Sequence, residues 1–160
     1  MPGLPDLLRQ WALNLLMLVV RFQFPDVDTV STRELAQQLT GPGEQPLLID
    51  NRNPREYAVS HLPGAVNLMT VPEIEAAAIP RQTSLVVYCS IGYRSAVLAR
   101  RLQAAGYHNV ENLEGSIFQW QKRGLPLMSS VGPVKRVHPH DGFWGTLLNP
   151  EVVAYHPERS

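Results

Sequence analysis

The single cysteine of this 160-residue chain lies in a segment that could perform nucleophilic chemistry. Cys89 follows the apolar run Leu85 to Tyr88 and precedes a glycine, an arginine and a stretch with helical spacing. This order predicts a strand, a tight loop and the start of a helix. The free N–H groups and dipole at a helix N-terminus stabilise a thiolate, and Gly92 lets successive N–H groups point inward around an anion. The segment therefore indicates a reactive cysteine rather than a buried structural one. The candidate site consists of the nucleophile Cys89 and the loop residues Ser90, Ile91, Gly92, Tyr93, Arg94 and Ser95.

The sequence predicts strands that alternate with helices, and these elements form the scaffold that positions Cys89. We expect short strands near residues 26–30, 47–50, 65–68, 85–88 and 109–113, with Ser31 and Asn53 as N-caps of the helices that follow the first two. The pattern predicts an α/β fold, a central parallel five-stranded sheet with helices on both faces. Ligands of such sheets bind beyond the carboxyl ends of the strands, where Cys89 and Asp50 both lie.

The first 25 residues are expected to form an N-terminal apolar helical extension. The apolar run between Arg9 and Arg21 is too short for a membrane span, which needs about 20 apolar residues. A signal peptide is disfavoured by Asp6 and by the lack of a small-residue cleavage site. We expect a helix that packs on the domain or on a partner, with a membrane-surface role as the alternative.

The main domain is expected to span residues 26–128. Beyond this domain the sequence shows neither helical nor strand periodicity. We therefore expect residues 129–160 to form an irregular C-terminal tail that packs on the domain through Trp144, Leu147 and Leu148. His138, His140 and His156 lie in this tail. Their spacing matches no standard ligand set, so we expect no metal site.

Composition and charge argue against nucleic-acid binding and against internal disulfide chemistry. The formal net charge is zero, which gives no electrostatic footprint for nucleic acid. One cysteine excludes an internal disulfide and an internal resolving thiol, and it favours a reducing compartment, so we expect a cytoplasmic protein. The residues call for no cofactor.

Four segments resemble motifs of the single-domain rhodanese-like sulfurtransferases. They are Leu48-Ile49-Asp50-Asn51-Arg52, Glu56-Tyr57 with His61-Leu62-Pro63-Gly64-Ala65, the loop Cys89 to Ser95, and Asn112-Leu113-Glu114-Gly115-Ser116 with Trp120. Each segment alone is weakly specific, but their order and spacing together are strongly so. Three positions depart from the family pattern, and none removes a catalytic group: Asn51, Ser60 and Ser116.

The resemblance implies an enzyme of the rhodanese type, a thiosulfate sulfurtransferase. In this interpretation the Cys89 thiolate takes the outer sulfur of thiosulfate or of a persulfide, becomes a persulfide, and passes the sulfur to a thiol, to cyanide or to a protein acceptor. Arg94 would bind the anionic end of the donor or hold the loop. The residues expected to have structural roles near the site are Asp50, Arg52 and His61.

Two alternatives stay open at this point. A cysteine phosphatase or arsenate reductase is disfavoured because four residues, not five, separate Cys89 from Arg94. A rhodanese-fold module that binds a protein or carries sulfur without turnover is disfavoured by the intact cysteine. The donor itself is not specified by the sequence.

Overall fold

The computed structural model describes residues 4–159, so the first three residues of the expected extension and the last residue of the expected tail lie outside the described part. Its centre is a five-stranded parallel sheet in the order β1-β5-β4-β2-β3. The strands are β1 (Asp28–Val30), β2 (Leu47–Asp50), β3 (Val66–Asn67), β4 (Leu85–Tyr88) and β5 (Val110–Leu113). The expected α/β fold with a central parallel sheet is confirmed.

Helices connect the strands and cover the sheet. They are α1 (Asp6–Gln23), α2 (Thr32–Thr40), α3 (Pro54–Val59), α4 (Val71–Ala76), α5 (Tyr93–Ala104) and α6 (Ser116–Lys122). Ser31 and Asn53 each accept a hydrogen bond from the N–H of a glutamate three residues later, and that glutamate bonds back to the cap. These two capping boxes confirm the helix starts expected from the sequence.

Strand β4 separates two hydrophobic cores because its side chains alternate between the faces of the sheet. Val86 and Tyr88 pack with Leu35 of α2 and Phe118 of α6 on one face. The other core holds Leu85 and Val87 with α4 and α5 residues such as Ile74, Ala99 and Leu102. Since β4 is buried on both faces and lies in the middle of the sheet, the cysteine at its carboxyl end has a rigid support.

Helix α1 contacts both cores. Leu13 is fully buried in the core that contains Tyr88, whereas Val20 belongs to the core that contains Val87. The opposite side of α1 is exposed and apolar, with Trp11, Leu18 and Phe22 all more than half exposed. No helix in residues 4–159 is long and apolar enough to cross a membrane.

The C-terminal segment contains more regular structure than the sequence indicates. A hairpin of β6 (Leu127–Ser129) and β7 (Gly132–Val134) spans the boundary expected at residues 128 and 129, and it is followed by α7 (Gly142–Gly145) and a 3₁₀ helix (Pro150–Val152). Val137, Leu147 and Leu148 are buried in the core next to Trp120. These contacts hold the segment against the domain.

Candidate active site

Cys89 lies directly after β4, with its side chain at the base of the loop that leads into α5. Cys89 is only 1% exposed, and its Sγ accepts a hydrogen bond from the Gly92 N–H at 3.1 Å. Gly92 has φ +108°, a backbone conformation that L side chains rarely adopt. This conformation turns the loop back over the sulfur, and α5 begins immediately afterwards.

The loop is tied to the neighbouring strand β5 and to α6. The Ser95 hydroxyl donates to Asn112 Oδ1 at 2.6 Å, and Asn112 Nδ2 donates to the Gly92 carbonyl at 2.9 Å. Ser95 Oγ is also 3.5 Å from Cys89 Sγ. The carbonyls of Cys89 and Ser90 accept from the N–H groups of α6, at 3.2 and 3.1 Å respectively. These two bonds fix the backbone on either side of Cys89 Sγ to the start of α6.

Ser116, one of the departures from the family pattern, has a specific role in this support. Its backbone is left-handed, with φ +48°, which is costly for a residue that has a Cβ. Its hydroxyl accepts from the Cys89 N–H and donates to the Leu113 carbonyl, both at 3.1 Å. A serine at this position therefore contributes two hydrogen bonds that a glycine could not make.

Arg94 is held by a buried carboxylate. Its two terminal nitrogens form a bidentate pair with Glu56, at 3.1 and 2.9 Å, and one of them also donates to Ser90 Oγ at 2.9 Å. The Glu56 side chain is fully buried, whereas that of Arg94 is one-third exposed. Burial by itself disfavours the carboxylate, but the hydrogen bonds and charge of Arg94 outweigh it and lower the pKa of Glu56 to about 2. The pair is therefore ionised and carries no net charge at neutral pH.

The three residues expected to be structural lie on the adjacent strand and loop. Arg52 forms two hydrogen bonds with the carboxylate of Asp50, at 3.0 and 2.7 Å, and both side chains are fully buried. Arg52 also donates to the Ser60 carbonyl at 2.6 Å. His61 stacks on Tyr57 with ring centroids 3.9 Å apart. These contacts link β2 to α3, the helix that carries Glu56.

Two of the three tail histidines are in contact, because the backbone N–H of His140 donates to His138 Nδ1 at 3.0 Å. His140 points to the site, with Nδ1 3.4 Å from Glu56 Oε1, whereas the ring of His138 packs edge-on against Tyr155. Within the described residues, no group of three or more His, Cys, Asp or Glu side chains is arranged to hold a metal ion.

A cavity of about 340 Å³ opens above the cysteine. Three parts of the chain line it: α1, the Cys89 loop and the C-terminal segment, the last through His140 and Trp144. A larger depression of about 660 Å³ lies at the amino ends of β1 and β5, away from the carboxyl end of β4, and Cys89 does not line it. The smaller cavity is the one that chemistry at Cys89 can use.

Several site residues carry no functional signal in the sequence. Glu56 belongs to one of the four family motifs, but nothing in the sequence shows that it pairs with Arg94, 38 positions away. Asn112 belongs to another of these motifs, but the sequence does not show that its side chain connects Ser95 with Gly92. His140 and the α1 residues lie outside every motif, so only the folded chain brings them to the cavity.

The fold and the cysteine loop define a recognised class of protein. The sequence model of the rhodanese-like domain family matches residues 31–123, which is more than half of the chain. The chain belongs to this family. The match contains the loop, Glu56 and Asn112, but neither α1 nor the C-terminal segment that lines the cavity.

Individual relatives carry sulfurtransferase names. The chain is 36% identical over 107 residues to a sulfurtransferase of Allochromatium vinosum, covering 66% of this chain and 99% of that protein. It is 40% identical over 70 residues to thiosulfate sulfurtransferase PspE of Escherichia coli, covering 42% and 67% respectively. It also matches longer adenylyltransferase and sulfurtransferase proteins, of which it spans about a quarter, 24% and 26%.

Solved structures share the fold. The crystal structure of the Alr3790 protein from Anabaena sp. matches with a TM-score of 0.59 and 19% identity, over 64% of this chain and 82% of that one. At this identity the likeness concerns the fold alone.

Proposed function

We propose that this protein is a sulfurtransferase of the rhodanese type, which moves a sulfane sulfur from thiosulfate or a persulfide to a thiophilic acceptor through a persulfide on Cys89. The observation that carries the proposal is the contact between the Gly92 N–H and Cys89 Sγ at 3.1 Å, in a loop that opens the N-terminus of α5. Such a loop stabilises one negative charge on sulfur, whether it is a thiolate or a persulfide.

The transfer needs no proton donor or acceptor among the protein side chains. The Cys89 thiolate attacks the outer sulfur of the donor, a new S–S bond forms, and the old bond breaks with its electron pair on the leaving sulfite or thiolate. In the second half the acceptor attacks the outer sulfur of the persulfide and restores the Cys89 thiolate. Neither half requires an oxidant or a reductant.

In this proposal Arg94 holds the loop rather than the donor. Both of its terminal nitrogens already bond to Glu56, and that carboxylate cannot reach water to exchange its partner. A bidentate pair with a buried carboxylate fixes the geometry of the arginine. Asp50 and Arg52 serve the same purpose one strand away.

The acceptor is a thiol, cyanide or a protein thiol, with no nucleic acid involved. We place the protein in the cytoplasm as part of the proposal, because an unpaired reactive cysteine stays reduced there.

Loop length supports sulfur transfer over phosphate hydrolysis. Only four residues separate Cys89 from Arg94, and within this loop Gly92 N–H lies against the sulfur while Arg94 faces Glu56. A phosphate needs donors around three oxygens, and the arginine that would complete such a cradle is already paired. We therefore expect no aryl phosphatase activity above background.

Intact mass measurement tests the proposal. After incubation with thiosulfate, the wild-type protein should gain one sulfur atom, lose it on addition of cyanide, and release thiocyanate over many turnovers. Cys89→Ser should keep the fold and lose both the mass gain and turnover. Wild-type turnover in the serine variant would contradict the mechanism. A mass gain without turnover would instead favour a sulfur carrier, and aryl phosphate hydrolysis that depends on Cys89 would favour a phosphatase.

A further inference from the structure

The walls of the cavity above Cys89 are mainly apolar. Helix α1 contributes Leu16, Val19 and Val20, and the C-terminal segment contributes the Trp144 indole. The loop adds its own apolar surface with Ile91 and the ring of Tyr93. Clefts of this size and character bind small organic groups rather than inorganic ions.

Among the residues 4–159 that line the cavity, no lysine or unpaired arginine is present. Among its lining residues the only arginine is Arg94, whose charge is neutralised by the ionised Glu56. His140 faces the same carboxylate, with its Nδ1 3.4 Å from Oε1. The other arginine near the site, Arg52, is fully buried and paired with Asp50, so it cannot reach a ligand.

These two features bear on the donor. Thiosulfate carries two negative charges, and moving it from water into an apolar cavity without a counter-charge is costly. The loop N–H groups compensate the charge on the transferred sulfur only. A group attached to that sulfur would lie against α1 and Trp144, where burial of an apolar group is favourable.

We propose that the cavity binds the apolar carrier group of a small organic persulfide, and that this class of donor, rather than thiosulfate, is the preferred substrate. The inference rests on the sulfurtransferase function proposed above. The Cys89 thiolate would attack the outer sulfur of R–S–SH, forming the Cys89 S–S bond as the donor S–S bond breaks. The proton on the transferred sulfur would pass to the leaving thiolate, giving R–SH and a Cys89 persulfide anion.

Three stable probes isolate the carrier group: thiosulfate, methanethiosulfonate and benzenethiosulfonate. All three deliver the same sulfane sulfur, and thiocyanate formation from cyanide reports transfer from each. The uncatalysed reaction of each donor with a small thiolate corrects for differences in leaving group. After this correction we expect kcat/KM to be roughly ten- to a hundred-fold higher for benzenethiosulfonate than for methanethiosulfonate, with thiosulfate the poorest. Equal values, or a preference for thiosulfate, would overturn the inference.

A charge placed in the cavity wall tests the location. Val19 lines the cavity and is 43% exposed, so Val19→Lys can be accommodated without burying the ammonium group. It should shift the preference towards thiosulfate by about ten-fold or more. Leu18→Lys is the matched control, because Leu18 lies next to Val19 on α1, is 62% exposed and does not line the cavity. It should keep the wild-type preference.

The outcomes separate the two proposals. If the donors react but both lysine variants keep the wild-type preference, or both shift it equally, only the assignment of the cavity fails. If no donor gives thiocyanate or a persulfide on Cys89, the sulfurtransferase function fails, and this inference fails with it.

Discussion

The ion pair between Glu56 and Arg94 allows a quantitative test of how the loop is held. Glu56→Gln keeps the size of the side chain and removes its charge. The pKa of Glu56 falls from 4.5 to about 2 in the folded protein. At about 1.4 kcal/mol per pKa unit, the carboxylate contributes ~3 kcal/mol to the free energy of unfolding at neutral pH. Since glutamine still accepts a hydrogen bond from Arg94, we expect the variant to lose ~2–3 kcal/mol at pH 7.

The pH dependence gives the test its specificity. Because the pKa of Glu56 is lower in the folded than in the unfolded chain, the stabilisation is fully present above the unfolded value and is lost as pH falls towards the folded value. The difference in unfolding free energy between the wild type and Glu56→Gln should therefore shrink by ~2 kcal/mol between pH 7 and pH 3.

Urea unfolding followed by tryptophan fluorescence measures both quantities. Glu75→Gln is the control, because Glu75 pairs with Arg81 at 2.7 Å on the surface, with side chains 43% and 46% exposed. The control should lose less than ~1 kcal/mol. If Glu56→Gln behaves like the control, or if its difference from the wild type does not change with pH, the ion pair does not anchor the loop.

Three further substitutions test other parts of the loop. Arg94→Lys retains the charge but cannot form the bidentate pair with Glu56, so the rate of sulfur transfer to cyanide should fall by roughly ten-fold or more. Wild-type activity in this variant would show that the bidentate pair is not needed. Gly92→Ala forces a Cβ onto a residue at φ +108°, which should cost ~1–2 kcal/mol in a urea titration and lower transfer activity. Ser95→Ala leaves Asn112 Oδ1 without its 2.6 Å donor and should lower the free energy of unfolding by ~1–3 kcal/mol. An unchanged midpoint of urea unfolding would show that the hydroxyl is dispensable.

Local signals in the sequence predict most of the sheet and the start of each capped helix. Ser31 and Asn53 specify their helices through contacts with residues three positions later, so a short stretch of sequence contains all the information needed. The run Leu85 to Tyr88 likewise specifies a strand that is buried on both faces. The expected family and fold class are confirmed for the same reason: the motifs are local, and their order along the chain is fixed.

The supports of the site depend on contacts that no local pattern contains. Glu56 and Arg94 are 38 positions apart, and the sequence does not show that the carboxylate is buried against that arginine. Ser116 looks like a minor replacement until its hydroxyl is seen between Cys89 and Leu113. The proposed roles of the loop residues stay predictions until the substitutions above are made.

The position of the cavity separates two properties that are usually assigned together. Cys89, its loop and Glu56 all lie within residues 31–123, the part of the chain that matches the family, whereas Leu16, Val19 and Trp144 lie outside it. If the cavity selects the donor as proposed, reactivity and donor choice can diverge independently, because the terminal segments can change while the loop does not. On the same proposal, grafting α1 and the segment around α7 onto another family member would transfer donor selectivity while its own cysteine loop stays unchanged.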